Sequence, residues 1–421
     1  MKIIIVGGGW SGCAAAIAAR KCGATVELHE RTDMLLGTGL VGGIMRNNGR
    51  FTATEEAIAL GGGDLFNITD QCARHRNINF PGHKHANLYD IATTPMTVTR
   101  YLESLGIKIH YQSRICAVAM SDRTIKSISG EKGDSIEGDV FIDTTGTAGP
   151  MKNCIRHGNG CAMCILRCPS FGGRVSLTGL TGVEELQGRK DNGQIGAMSG
   201  SCKIYKESLS AEIVSELESK GVAVIPVPKS LIENHLDLKA CQQYALPAFL
   251  ENIVLLDTGH AKLMSPFFDL GKLHQVPGFE NARYEDPYSG GRGNSMRYFA
   301  MAPRNDSLQV KGVDNLFCAG EKAGLLVGHT EAIVTGTLAG FNAVQYARGH
   351  ELVTLPRELA IGEAIAFVNE QMQTEAGLGL KYTFSGSVLF ERMQQLELYT
   401  TEVSDIRSRV EKAGLTGLFI R

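Results

Sequence analysis

The first thirty residues leave this chain few ways to fold. Ile3-Ile4-Ile5-Val6 is a short, continuously apolar run that reads as a buried strand. It runs into Gly7-Gly8-Gly9-Trp10-Ser11-Gly12 and then into residues 13–21, an Ala-rich helix slim enough to press against a sheet. Gly23-Ala24 turns the chain into a second strand, residues 25–29, which ends at Glu30. Together these make a βαβ unit, whose crossover is nearly always right-handed. In Gly7-x-Gly9-x-x-Gly12 the first glycine permits the turn and the second lets backbone approach a pyrophosphate. The third lets helix and strand pack closely. The helix N-terminus adds amide donors and a partial positive charge. Glu30 is placed to accept both hydroxyls of an adenosine ribose. The segment specifies a dinucleotide site on a parallel sheet.

That site is completed about three hundred residues downstream. Asn315-Leu316-Phe317-Cys318 is a second apolar strand, ending in Ala319-Gly320-Glu321. Glu321 can bond a ribityl hydroxyl, while the following helix points its dipole at flavin or pyrophosphate oxygens. Asp143-Thr144-Thr145-Gly146 is an intermediate strand end of the kind that packs near the adenine side. Both halves in one chain select FAD over NAD, and with it redox chemistry. No second complete strand–GxGxxG–helix follows. An NAD(P)H electron donor is therefore expected to dock in an inserted domain or on the flavin face.

Glycine supplies 50 of 421 residues, or 12%, against a typical ~7%, without a Gly-X-Y period. The excess belongs to tight turns and close ligand approach. A net charge of −2 gives no global pull toward nucleic acid or anionic membrane, leaving only a local basic face open. No apolar run is long enough to span a bilayer, and a strand from residue 3 leaves no room for a signal peptide. A cytoplasmic location is expected. Eleven cysteines are then expected as thiols, metal ligands or redox centres rather than structural disulfides.

The pattern predicts an α/β fold. A Rossmann-like FAD-binding domain with a three-layer, parallel-sheet architecture occupies residues 1–150 and 305–346. An inserted α+β substrate and redox domain spans 151–304, and a mostly helical segment covers 347–421. Within the first part, residues 36–48 read as a glycine-rich loop, 54–60 and 95–105 as helices, 107–111 and 115–120 as strands, and 121–138 as a hairpin. Residues 140–143 return to the sheet. In the insertion, Leu209, Ile213 and Leu217 share one helix face. A strand at 222–227 follows, then apolar helical stretches to about Leu256. The tail is expected to act as a cap or dimer element in a homodimer.

Several segments resemble the GidA and TrmFO flavoproteins. Gly39 to Gly43 with Ile44, Glu56 through Leu60-Gly61-Gly62, and Thr144-Thr145-Gly146-Thr147 are similar to GidA, whose members modify tRNA wobble uridine. Leu316-Phe317-x-Ala319-Gly320, Gly328-His329-x-Glu331-Ala332 and Gly336-x-Leu338-Ala339-Gly340-x-Asn342-Ala343 resemble both groups. Gly349-His350-Glu351-Leu352-Val353, Pro356 and Ala360-Ile361-Gly362 continue the likeness to TrmFO, the folate-dependent tRNA uridine methylating flavoprotein. The resemblance covers roughly the first 65 residues and 310–365. It implies FAD and a tRNA substrate; the alternative is a small-molecule or thiol oxidoreductase in which Cys161, Cys164 and Cys168 relay electrons. In the implied chemistry a thiolate adds to a uracil ring carbon and a one-carbon unit joins the neighbouring carbon, with reduced flavin completing the transfer. The cofactor contacts expected are Gly7, Gly9, Trp10, Ser11, Gly12, Glu30, Arg31, Gly42, Gly43, Gly146, Gly320, Glu321, Gly328 and His329. TrmFO carries a nucleophilic cysteine in its early flavin-side loop, whereas residues 35–49 here contain none.

Cys154-x6-Cys161-x2-Cys164-x3-Cys168-Pro169 is the most unusual local feature. Cys161, Cys164 and Cys168 match the tail of a bacterial ferredoxin run, and Cys154 is a candidate fourth ligand with unusual spacing. Three readings stand open: a flavin-coupled dithiol or catalytic nucleophile, an Fe–S or Zn site on all four thiols, and inert thiols. Arg167 and Arg174 can lower nearby thiol pKa values. Gly290-Gly291-Arg292-Gly293 with Arg297 and Arg304 reads as a basic loop, either solvated or receiving a phosphate or carboxylate. His83-Lys84-His85 reads as a surface loop, His329 as a flavin-side or dimer-contact residue, and Trp10 as packing within the phosphate loop.

Overall fold

The computed structural model describes residues 1–37, 42–147, 170–189, 201–234, 242–265, 268–285 and 300–420, with short pieces at 193, 197–199, 236 and 295–297. Five parallel strands form its central sheet: β1 (Lys2–Val6), β2 (Thr25–His29), β3 (Lys108–His110), β4 (Val140–Asp143) and β5 (Leu316–Cys318). Their order is β5-β4-β1-β2-β3. The register sets Val6 opposite both His29 and Asp143, and Asp143 opposite Cys318. The carboxyl ends therefore align along one edge. The chain switches direction across the sheet between β1 and β4, and ligands of open parallel sheets bind at such a switch.

Helix α1 (Trp10–Lys21) lies buried from Trp10 to Ala19. Its small residues are needed because α2 (His329–Ala347) packs against it at very short range. A Cβ on Gly336 would stand 2.2 Å from the Ser11 carbonyl oxygen, and one on Gly340 2.2 Å from that of Ala15. A three-stranded meander, Ile115–Ser121, Thr124–Gly130 and Ser135–Glu137, adjoins this body. The Asn315 side-chain amide locks it there, accepting from Ile125 N–H and donating to Ile125 C=O, each at 2.9 Å.

The insertion contributes a four-stranded antiparallel sheet in the order Cys202–Ile204, Ala261–Leu263, Asn252–Asp257, Val222–Pro226. It has its own core, including Ile204, Leu217, Leu255, Leu263 and Phe279. The amphipathic helix predicted here spans Ala211–Lys220, capped by the Ser210 hydroxyl on Ile213 N–H and ended by Gly221 in the left-handed region. One expectation fails: the apolar run ending at Leu256 is the strand Asn252–Asp257, preceded by the helical turn Ala248–Glu251. A strand buried on both faces has no alternation, so its sequence cannot be told from a buried helix by period alone.

The tail is helical as expected, with helices Ala360–Gln371, Glu375–Gly379, Ser387–Gln395 and Val403–Lys412. Glu56 ties it to the cofactor body. Its fully buried carboxylate accepts from Ala360 N–H at 2.9 Å, Ile361 N–H at 3.0 Å and Arg409 Nη1 at 3.2 Å. Among the described residues no helix is long and apolar enough to cross a membrane.

The His83 segment corrects a second expectation. Residues 83–85 open the strand His83–Tyr89, which pairs with Ile44–Met45 and Ala73–Phe80, and His83 is buried. Its ring lies 4.7 Å from that of Phe80 and 4.8 Å from that of Tyr244. Nε2 donates to the Gln243 carbonyl at 3.0 Å, and Nδ1 accepts from Asn47 at 2.9 Å. Burial pushes its pKa down to about 3. Burial, reinforced by Lys203 and Lys262, does the same for His260. Both folded values lie below the unfolded value of ~6.5. Their stabilisation is therefore full above that pH and lost as pH falls toward 3, at ~1.4 kcal/mol per pH unit for each histidine. The urea midpoint is expected to drop between about pH 7.5 and about pH 5.5, and less steeply in His83→Gln.

Candidate functional site

The glycine turn builds one end of a cleft at the sheet edge. Gly7 has φ +108°, and a Cβ there would meet the Thr144 carbonyl oxygen at 2.5 Å. A Cβ on Gly12 would stand 1.9 Å from Gly7 O, whereas one on Gly9 would meet nothing within 4 Å. The backbone is therefore closed at Gly7 and Gly12 and open at Gly9. First-turn amides of α1, including those of Trp10, Ser11 and Gly12, have no intrahelical acceptor and can serve an anion. Gly146 is equally open. The return segment comes directly onto this turn: a Cβ on Gly320 would lie 2.7 Å from Ser11 Oγ. The two halves read in the sequence meet here.

At the end of β2, Glu30 is 8% exposed. Its Oε2 accepts from Gly8 N–H at 2.7 Å, and Oε1 accepts from Thr32 N–H and Oγ1, each at 2.8 Å. These bonds orient the carboxylate under the glycine turn without using all its acceptor sites. Arg31 is turned toward the insertion, with Nη1 donating to Gly172 O at 2.5 Å.

An aromatic wall adjoins the turn at Trp10. The rings of Trp10 and Tyr89 lie 5.8 Å apart, and that of His329 lies 5.6 Å from Trp10. His329 Nδ1 is 3.2 Å from the Tyr89 hydroxyl. A Cβ on Gly42 would overlap the His329 ring, and one on Gly43 would be 2.3 Å from Thr258 Cγ2. Lys262 Nζ donates to Gly42 O at 2.5 Å. The hairpin at the end of the Asn252–Asp257 strand thus clamps the glycine loop. Asp257, fully buried in that turn, holds Lys206 Nζ at 2.7 Å, His75 Nε2 at 2.9 Å and Arg74 Nε at 3.0 Å. Burial pulls its pKa up, but the bonds from Lys206 and His75 outweigh that and hold it low.

Behind the wall, Gly328 makes room for a buried ion pair that sequence reasoning missed. Arg50 Nε lies 3.2 Å from Glu331 Oε1, and a Cβ on Gly328 would collide with both side chains. Glu331 was visible only as part of a glycine-rich motif; nothing local marks Arg50 as its partner. Tyr89 and Lys262 were also missed, because each reaches the site from a strand of another sheet. Glu321, expected at a ribityl hydroxyl, accepts from Thr147 Oγ1 at 3.0 Å.

Arg304 departs from its expected place in a basic loop. It is fully buried and donates to the carbonyls of Ala323, Asn305 and Ile365. The guanidinium thus serves as a structural cross-brace between these segments. Cys154, Cys161, Cys164 and Cys168 lie outside the described residues, as do Gly290 to Gly293. Of the described thiols, burial pushes Cys13 up, and Cys202 and Cys318 to about 12. None of these three is a ready nucleophile.

The family model "Glucose inhibited division protein A" matches residues 2–253 and 269–351, through both halves of the cleft and most of the insertion between them. The chain belongs to the GidA family. It is an FAD-dependent flavoprotein, and the cleft fits that cofactor: an open glycine at a helix N-terminus, an oriented acid at the end of β2, and an aromatic wall beside the turn. The tRNA uridine 5-carboxymethylaminomethyl modification enzyme MnmG of Granulibacter bethesdensis is 29% identical over 162 residues, covering 38% of this chain and 25% of that protein. The methylenetetrahydrofolate–tRNA-(uracil-5-)-methyltransferase TrmFO of Bacillus pumilus is 42% identical over 60 residues, 14% of each chain. These matches span a quarter or less of the curated relatives. Aquifex aeolicus GidA in its form II crystal superposes with a TM-score of 0.69 at 16% identity, over 98% of this chain and 76% of that one. That likeness concerns the fold.

Proposed function

We propose that this GidA-family flavoprotein is reduced by NAD(P)H and modifies uridine in tRNA, with a folate-borne one-carbon unit as the added group. The observation that carries the reading is the extent of the family match. It runs through most of the insertion as well as the cofactor halves, and this reading gives the substrate surface to the insertion. The curated relatives named above are tRNA uridine enzymes, which supports the same substrate class. Bound FAD would supply reducing equivalents to the transferred group. The chain's own residues have simpler tasks. The α1 N-terminus holds the pyrophosphate and Glu30 accepts the ribose hydroxyls. Trp10, Tyr89 and His329 screen the adjoining wall from water.

Uracil methylation needs a thiolate to activate the ring. No cysteine lies within residues 35–49, and Cys13, Cys202 and Cys318 are sealed in the core. In this reading the nucleophile is one of Cys161, Cys164 and Cys168, the thiols of the clustered run. The spacing of those three with Cys154 favours a second reading, a thiol or small-molecule oxidoreductase whose cluster relays electrons as a dithiol or an Fe–S centre. The FAD-loaded protein, purified without oxygen, separates the two. The first reading expects flavin bleaching by NADPH or NADH, no iron, and salt-sensitive binding of bulk tRNA. Iron with a broad brown absorbance selects the second. Absence of RNA binding at low salt rejects the first.

A further inference from the structure

One cluster lies outside the cofactor cleft. Glu27 and His29 are two residues apart on β2, and the register places His110 of β3 directly opposite His29. Alternation along the strands puts all three on one sheet face, opposite to Glu30. The His29 and His110 rings stack at 4.5 Å with planes 6° apart. Glu27 Oε2 is 3.9 Å from His29 Nε2 and 3.6 Å from His110 Nε2. Both separations are too long for hydrogen bonds.

The two Nε2 atoms are buried and have no hydrogen-bond partner. His29 as a whole is only 3% exposed. A buried ring nitrogen without a partner is costly and calls for an explanation. The other ring nitrogen of His29 is already served, with Nδ1 2.8 Å from Ser113 Oγ. With Nδ1–H donating to that hydroxyl, the Nε2 lone pair faces His110 and Glu27. This is the outer-shell arrangement that orients metal-ligating histidines. Lys2 Nζ at 3.2 Å and Lys108 Nζ at 3.9 Å engage the other carboxylate oxygen, Oε1, leaving Oε2 to the imidazoles. One atom from each of the three residues lies within 4.8 Å of the other two. An ion with bonds of ~2.0–2.1 Å would require the stacked imidazoles, now 6° from parallel, to turn until both Nε2 lone pairs point at it.

We propose that Glu27, His29 and His110 bind a borderline divalent transition metal ion, of which Zn(II) is the representative. Two imidazoles and one carboxylate favour Zn(II), Co(II), Ni(II) or Cu(II) over Mg(II) or Ca(II). His110, partly exposed, provides the route of approach and leaves a fourth position to water. Such an ion would tie edge strand β3 to β2, immediately before the acid at the adenosine end of the cleft.

The test is a Zn(II) titration of the full, FAD-loaded chain against a chromophoric chelator, run on wild type, His110→Ala, Glu27→Gln and Ser113→Ala. FAD content reports intact folding in each. His110→Ala and Glu27→Gln are each expected to remove one Zn(II) equivalent or to weaken it at least ~100-fold, and Ser113→Ala to weaken it ~10-fold. Zn(II) is also expected to raise the melting temperature of wild type by more than that of His110→Ala. Thiols at 154–168 that bind Zn(II) would do so equally in all four proteins, so only the difference counts. Equal stoichiometry and affinity in wild type, His110→Ala and Glu27→Gln overturns the proposal.

Discussion

Replacing Arg50 by alanine is expected to lower stability by about 3–5 kcal/mol, because it strands a charge in the core. Glu331 has no exposed surface, and Arg50 is its charge partner in the ion pair. After the substitution the carboxylate keeps its bonds from Thr383 Oγ1 at 2.7 Å and Phe384 N–H at 2.9 Å. Those neutral donors do not offset a buried negative charge. Arg50 also donates to Asn47 Oδ1, Val327 O and Thr383 Oγ1, so its loss leaves three further acceptors short. The effect reaches the cleft, since Glu331 sits in the first turn of α2 beside His329. Urea denaturation of Arg50→Ala should show the loss together with weakened FAD retention. A double Arg50→Met, Glu331→Met variant should recover much of it, because a buried pair is costly to break and cheap to replace whole. A cost below about 1 kcal/mol for Arg50→Ala would mean the pair does not support this wall.

The parts of the molecule legible in sequence were those whose signal is local. The glycine turn, the Ala-rich helix and the acid at Glu30 each follow from one or two neighbours, and the structure has them as read. The return strand was legible because a short apolar run ending in Ala319-Gly320-Glu321 has few other uses. What was missed depends on contacts between segments far apart in the chain. His83 follows Pro81-Gly82, a turn signal, and only the Phe80 and Tyr244 rings and Gln243 reveal it as core. Arg304 stands near a run of glycines and arginines, and only the carbonyls of Ala323 and Ile365 reveal it as a brace. Charge on a side chain argues for the surface until enough acceptors are brought to it, and chain topology alone decides that. The Glu27, His29 and His110 group has the same character, being assembled by strand register across eighty residues.

Gly9→Ala and Gly12→Ala are expected to part folding from cofactor binding at the same turn. At Gly12 the new methyl would stand 1.9 Å from a main-chain oxygen of Gly7, which no side-chain movement can relieve. Helix α1 would have to lift from β1, and a loss above about 4 kcal/mol, with failure to fold, is expected. Gly9 presents the opposite case. Its φ of −74° suits any residue, and a methyl there meets no protein atom within 4 Å. The folded apoprotein should lose no more than about 1 kcal/mol, the cost of alanine at a helix N-cap. If the open side of Gly9 is where pyrophosphate approaches, that methyl occupies the approach. FAD affinity should then fall ~100-fold, equivalent to about 2.7 kcal/mol. Titration of apoprotein with FAD, followed by flavin fluorescence, measures this separately from urea denaturation. A Gly9→Ala protein that folds and binds FAD as tightly as wild type would place the phosphates elsewhere. Glu30 and the aromatic wall would then need a different dinucleotide path between them.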